Sequence, residues 1–264
     1  MHPVLFKIGE FTVHSYYILW AFALSVGVVF TRSRANRLYG LDDDLVRKAL
    51  FFVFLGMLIG ARIGGYSDHW AFYARHPEKL LNPLEGALSS TTAFAGGGIA
   101  GIIYCIKKKI PLWKIADAAS IPAAATVAIG RVGCFLNGCC LSFPSDIPWG
   151  VHFPNDPAGL FRHPVQLYYS GLSLTLMFFL FYIEKWIFSR PEKRPQGAVL
   201  WPLFMIFYGI MRFSVDFLRE GDRIFGFRTA QIIGLTVVIL GAGWLFSSIW
   251  GHRNHRISHP EQMQ

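Results

Sequence analysis

Residues 130–142 read GRVGCFLNGCCLS, an arginine carried off the end of an apolar run into a tight turn that bears three cysteines. Arg131 follows IPAAATVAIG (residues 121–130), and a guanidinium at mid-bilayer costs roughly 2.5–3.5 kcal/mol on insertion scales. It therefore calls for a partner or a polar cavity, for which a substrate anion would serve, or else for a short reach to the headgroups. Gly133 and Gly138 permit close backbone approach and positive φ, and Asn137 between them supplies both donors and acceptors.

The rest of the chain is membrane-like. Of 264 residues 53% are hydrophobic and only 16% charged, too apolar for an ordinary soluble domain. A net charge of +9 raises nucleic acid as a partner, but the basic residues are spread between apolar runs rather than gathered on one domain, which argues against it. Apolar runs predict an all-α protein with seven spans, at residues 16–30, 49–66, 93–106, 115–135, 166–187, 199–217 and 229–250. The third is short for a bilayer. Before the first run stands only Lys7, with no small-residue cleavage site, so that span is expected to be retained rather than removed as a signal peptide.

Basic residues set the orientation. Fifteen Lys and Arg fall in the connections after spans one, three and five and in the tail, against seven on the opposite side, which predicts the N-terminus outside and the C-terminus inside. The expected organisation is a single integral-membrane domain over residues 1–264, with outer segments 67–92 and 138–165 and a cytoplasmic tail at 251–264. Within the first outer segment, His69, Trp70, Tyr73 and NPLEGALSS (residues 82–90) read either as an interfacial stretch that holds lipid or as an ordinary anchoring loop. AGGGIAG (residues 95–101) then opens the third span with glycines that allow close helix approach or a backbone lining to a polar cavity.

Three arginines remain, Arg62, Arg131 and Arg212, all within or at the outer ends of spans. A shared anionic ligand such as a phospholipid phosphate would satisfy them together. Pairing with carboxylates is the alternative, and Asp216, four residues after Arg212, is spaced for it on one helical face.

These residues fall into ordered motifs. The stretch from Gly130 resembles the signature Gly-Arg-x-Gly-Asn-Phe-x-Asn-x-Glu of the prolipoprotein diacylglyceryl transferases, matching at Gly130, Arg131, Gly133, Phe135 and Asn137, with Cys134 in place of the first Asn and Cys139 in place of the Glu. Similar to the same family are His14-Ser-Tyr16, Gly60-Ala-Arg62-Ile-Gly64, Phe94 to Gly97 with Ala95 where the family has His, Asp117 and Pro122, Arg162-His163-Pro164-x-Gln166-Leu-Tyr168, and the run Tyr208-Gly209 to Asp222 with Asp216 for Glu. Tyr169 stands where a glutamate is common, and Gln231 matches a glutamine of the last span. The resemblance spans residues 13–250.

What it implies is a multi-pass protein of the bacterial inner membrane that moves the diacylglyceryl group of phosphatidylglycerol to the lipobox cysteine of a prolipoprotein signal peptide, releasing glycerol phosphate. No cofactor and no metal are implied. The partners are phosphatidylglycerol, the prolipoprotein and membrane lipid. A phosphate ester leaving group builds negative charge that arginines stabilise in a water-poor site, which nominates Arg131 and Arg212. Arg219, seven residues beyond Arg212, is expected on the same helical face. The incoming thiol needs a base, for which His163, Asp216 and His14 stand as candidates, each with a structural alternative. Substrate contacts are expected from Tyr16, Arg62, Gly97, Gly133, Asn137, Gln166 and Arg219. The replaced His, Asn and Glu leave a non-catalytic or redirected phospholipid-binding member as the alternative. Cys105 reads as a buried hydrophobe; Cys134, Cys139 and Cys140 read as a local staple, with a disulfide from Cys134 to either neighbour as one form and a metal site only weakly signalled.

Overall fold

A computed structural model describes residues 4–9, 11–79, 89–154, 156–189, 197–220 and 226–258. Most of the outer stretch at 82–90, the end of the tail at 259–264, and Asp222 lie outside them. The chain is all-α apart from a hairpin of β1 (Val4–Ile8) and β2 (Phe11–His14), antiparallel with Ile8 opposite Phe11. The strand sequences VLFKI and FTVH flank Gly9, whose φ of +57° suits a tight turn.

Among the described residues eight α-helices follow: α1 (Ser15–Arg37), α2 (Asp43–Asp68), α3 (Trp70–Arg75), α4 (Ser90–Lys107), α5 (Leu112–Asn137), α6 (Val165–Phe188), α7 (Leu200–Val215) and α8 (Thr229–Ser258). Six helical stretches among those residues are long and apolar enough to cross a membrane: α1, α2, α5, α6, Leu200–Leu218 and Thr229–Trp250. The expected third span forms α4 but is not among the six, because three consecutive glycines and two threonines dilute its apolar content. Their outer faces carry large exposed apolar side chains such as Ile63, Phe178 and Ile239, as lipid-facing helices require.

The chain divides into two compact units, one of Ala35–Ile115 and one of Met1–Arg34 with Ala116–Gln264. In the first, α2 and α4 meet through small residues. Gly56, Gly60 and Gly64, spaced four apart on α2, face Gly96 and Thr92 of α4, and a Cβ on Gly60 or Gly96 would collide with the opposing backbone. Gly97 belongs to the same contact, since a Cβ there would lie 2.5 Å from Met57 Cγ. The glycine run at 95–101 thus does allow close helix approach.

In the second unit, Ile121 and Ala124 of α5 pack with Leu176 and Leu180 of α6 and with Leu200 and Phe204 of α7. Asp117 on α5 accepts hydrogen bonds from the backbone N–H groups of Val199 and Trp201, each at 2.9 Å, and so caps the start of α7 from a neighbouring helix. Arg34, in the last turns of α1, donates to Ala118 O and makes a two-pronged ion pair with Glu184 of α6. Gly209 of α7 meets Gly234 O of α8 at a would-be Cβ distance of 2.5 Å. Removing one member of a buried pair leaves an uncompensated charge costing about 3–5 kcal/mol. Arg34→Met should therefore destabilise the protein by about that amount in detergent unfolding, and adding Glu184→Met should recover most of it; additive losses would show that the pair is not the coupling element.

Candidate functional site

The site grows from the end of α5. Gly130 and Gly133 let that helix press on α1: a Cβ at Gly130 would lie 2.8 Å from the Trp20 ring, and one at Gly133 would lie 3.2 Å from Leu19 and 3.6 Å from the Tyr16 carbonyl. The helix stops at Asn137 in a Schellman closure, with Cys139 N–H bonded to Cys134 O and Gly138 N–H to Phe135 O, each at 3.1 Å. Gly138 takes the left-handed conformation this requires, φ +67°, and Cys140 repeats it at φ +64°. Such a closure brings together the side chains at its first and last positions, here Cys134 and Cys139. Cys140 joins them, and the three sulfurs lie within 4.8 Å of one another. All are free thiols, so the disulfide considered from the sequence is not formed. Cys105, 1% exposed, is the buried hydrophobe expected. Hydrogen bonding from the Cys134 and Cys139 thiols, with the positive charge of Arg219 and Arg131, holds the Cys140 thiol below the usual range.

Gln166, in the first turn of α6 and fully buried, fixes the turn by donating from Nε2 to Cys139 O at 2.6 Å, while its Oε1 is buried without a partner. Beyond the cysteines the chain runs beside the end of α7: Ser142 bridges to Arg219, and Phe143 N–H bonds to Leu218 O at 2.9 Å. Arg162 staples this outer segment. It grips Asp156 with two bonds, reaches Glu220 at 2.6 Å and donates to Ser142 O. The guanidinium keeps the Asp156 carboxyl below the usual carboxylate range.

Four guanidinium groups and one carboxylate form the charged centre. Asp216 is completely buried; its Oδ1 accepts from Arg219 at 3.1 Å and from the Tyr169 hydroxyl at 3.3 Å, and its Oδ2 accepts from Arg228 at 3.0 Å. The alternative pairing of Asp216 with Arg212 is therefore not formed. Asp216 N–H still bonds to Arg212 O, so the backbone keeps the spacing of four, but the carboxylate is taken by Arg219, Arg228 and Tyr169. Asp216–Leu218 form a 3-10 turn, after which Arg219 leaves the helical face shared with Arg212 and lies in extended backbone.

Arg131 and Arg212 instead both stand against Tyr169 of α6, with guanidinium carbons 4.4 and 5.9 Å from the ring centroid. Among the described residues neither guanidinium makes a hydrogen bond or an ion pair, although the Arg212 carbonyl accepts from the Tyr169 hydroxyl at 3.4 Å. Tyr169, itself fully buried, packs with Val165, Met211 and Val215. It was legible only as a departure from a glutamate, and Arg228 only as one more basic residue of a loop.

The other candidates separate from this centre. His163 Nδ1 lies 3.2 Å from the Tyr168 hydroxyl, which also accepts from Trp149 Nε1 at 2.7 Å, so the histidine orders the outer loop. His14 ends β2 and meets Tyr17 edge-on. Tyr16 lies beside the Cys134 turn through Gly133, and Asn137 lies beside Cys139. Arg62 donates to Tyr66 at 2.8 Å and belongs, with Gly97, to the α2–α4 unit.

A family model described as prolipoprotein diacylglyceryl transferase matches residues 3–247. Among similar curated proteins, one from Geobacter sulfurreducens is 31% identical over 246 residues, covering 90% of this chain and 92% of its own length. Another from a Marinomonas strain is 31% identical over 260 residues, covering 94% and 93%, and one from Trichormus variabilis is 31% identical over 255 residues, covering 92% and 89%. All three are named phosphatidylglycerol--prolipoprotein diacylglyceryl transferase.

Proposed function

The chain belongs to the prolipoprotein diacylglyceryl transferase family, and from that premise we propose how its residues divide the work. It is a membrane enzyme of lipoprotein maturation that transfers the diacylglyceryl group of phosphatidylglycerol to prolipoproteins. In our reading the acceptor is the lipobox thiol of a signal peptide, and the reaction forms a thioether as the carbon–oxygen bond to phosphate breaks. The observation that carries the assignment is the pair Arg131 and Arg212, two guanidinium groups against one tyrosine ring with no carboxylate of their own among the described residues. Such donors suit a phosphodiester: charge-assisted bonds to its oxygens strengthen as the leaving group gains charge.

Asp216 anchors Arg219 and Arg228 at the edge of that pair, which leaves Arg219 able to reach the phosphate while keeping the local positive charge tolerable. Gln166 and Asn137 set the turn that brings the peptide beside the lipid, Tyr16 and Gly133 shape the approach, and Arg62 and Gly97 contact substrate from within the α2–α4 unit. His163 serves by ordering the outer loop. The enzyme sits in the bacterial inner membrane, a single integral-membrane protein of seven spans with α4 as the short one, its N-terminus outside and its C-terminus inside. The fifteen-to-seven bias of basic residues supports that orientation.

Two measurements check this reading. A reporter active only in the cytoplasm, fused after Gln264, should be active; activity from a periplasm-only reporter at the same site would reverse the topology. In vesicles containing phosphatidylglycerol, the wild-type chain should add a diacylglyceryl group to a lipobox peptide. Arg131→Lys should lose on the order of 100-fold in rate while remaining folded, since lysine cannot reproduce the two-pronged geometry. Full transfer by Arg131→Ala would remove the phosphate role.

A further inference from the structure

The helix end at Asn137 gathers three thiols without joining them. Cys134 and Cys139 hold the two positions that the Schellman closure brings together, Cys140 follows in left-handed backbone, and all three sulfurs lie within 4.8 Å of one another as free thiols. A tetrahedral zinc site with bonds of about 2.3 Å holds its sulfurs about 3.8 Å apart. A contraction of about an ångström at most, within reach of side-chain rotation, completes that geometry. Three is also the informative number. Structural zinc sites close with four protein ligands, whereas catalytic ones keep three and leave a position open. Among the described residues the cluster contains only these three potential ligands.

We propose that Cys134, Cys139 and Cys140 bind one zinc ion through three thiolates, and that the open fourth position takes the acceptor thiol of the protein substrate. This rests on the transferase reading above and supplies what that reading lacks. Two of these cysteines stand where the family has Asn and Glu, and Ala95 stands where it has His, so the groups available to take the thiol proton are depleted. An unperturbed thiol is only a few per cent ionised near neutrality, about pKa 8.5, whereas a thiol on zinc is deprotonated outright.

The chemistry balances without a redox partner. The acceptor thiol gives its proton to solvent as it binds zinc. The sulfur then uses an electron pair to form the bond to the glyceryl carbon, the carbon–oxygen bond breaks, and its pair stays on the phosphate of the departing glycerol phosphate. The thioether, a poor zinc ligand beside thiolates, leaves the ion unchanged in charge. Three thiolates on a divalent ion carry one net negative charge and four carry two, and the exit of the cysteine turn runs beside Arg219 through the Ser142–Arg219 bridge, whose positive charge offsets part of it. In the reading above Arg219 also reaches the phosphate, so the nucleophile and the leaving group share that positive charge.

The full-length chain, purified under reductant from zinc-supplemented cells, should hold about one zinc by elemental analysis. Cys134→Ser and Cys140→Ser should lose it, and Cys105→Ser should keep it. Cobalt exchanged into the wild-type protein should give tetrahedral thiolate absorption that shifts on adding a lipobox peptide with cysteine and not on adding its serine counterpart. Because those variants risk misfolding, the decisive arm uses wild type alone: stripping zinc with a chelator should lower transfer by on the order of 100-fold and zinc should restore it. A metal-free chain transferring at full rate overturns the proposal and leaves the transferase reading intact, as does copper in place of zinc or a native disulfide among the three. A cobalt spectrum indifferent to the cysteine peptide overturns the open position. Zinc binding with a peptide-dependent spectrum but no diacylglyceryl transfer supports the metal site and removes the transferase reading.

Discussion

One buried carboxylate governs the charged centre. Asp216, with no exposed surface, binds Arg219, Arg228 and the Tyr169 hydroxyl, so its bonds go to groups other than Arg131 and Arg212. Among the described residues, four guanidinium groups around this one acid leave a surplus of positive charge in a membrane protein, where such a surplus is costly unless an anion completes it. A phospholipid phosphate is the anion that the surroundings supply in quantity. Tyr169 makes the surplus tolerable before lipid arrives, because an aromatic face attracts both guanidinium groups without neutralising either. A glutamate at that position would compete with phosphate for the same two arginines; a tyrosine competes far less.

The turn after α5 is tied to this centre by backbone and side-chain contacts. Its glycines serve two different ends: Gly130 and Gly133 bring α5 onto Trp20 and Leu19, and Gly138 gives the left-handed residue that ends the helix. Gln166 then holds the Cys139 carbonyl from α6, and the Ser142–Arg219 bridge joins the exit of the turn to Asp216 through Arg219. A displacement of the cysteine turn is thus felt at the arginines through two covalently short paths, which suits a reaction whose nucleophile and leaving group must sit on opposite sides of one carbon.

Hydropathy runs and the ordered motifs made the helices and the family legible, and the apolar context of Arg131 and Arg212 marked them as unusual before any geometry was known. Residue spacing failed where the helix failed. A period of 3.6 carries Arg219 onto the face of Arg212 only if α7 continues, and the 3-10 turn Asp216–Leu218 instead delivers Arg219 to extended backbone, from which it binds Asp216. Tyr169 was hidden because an uncharged residue gives no sign of the charges packed on it. The thiol cluster was hidden because the choice between disulfide, staple and metal site depends on side-chain directions set by the closure, which a spacing of five and six residues does not specify. The packing role of Gly97, whose lack of a side chain α2 requires, depends on which helix it faces and so showed only in the structure.

The central claim is that Arg131 and Arg212 are spare donors for one phosphodiester. A structure determined in lipid discs of phosphatidylglycerol tests it most directly. The account expects a lipid phosphate within hydrogen-bond reach of both guanidinium groups, about 2.7–3.2 Å, with Asp216 still held by Arg219 and Arg228. A bound phosphatidylglycerol whose phosphate lies elsewhere, with both arginines still closed on Tyr169, would contradict it.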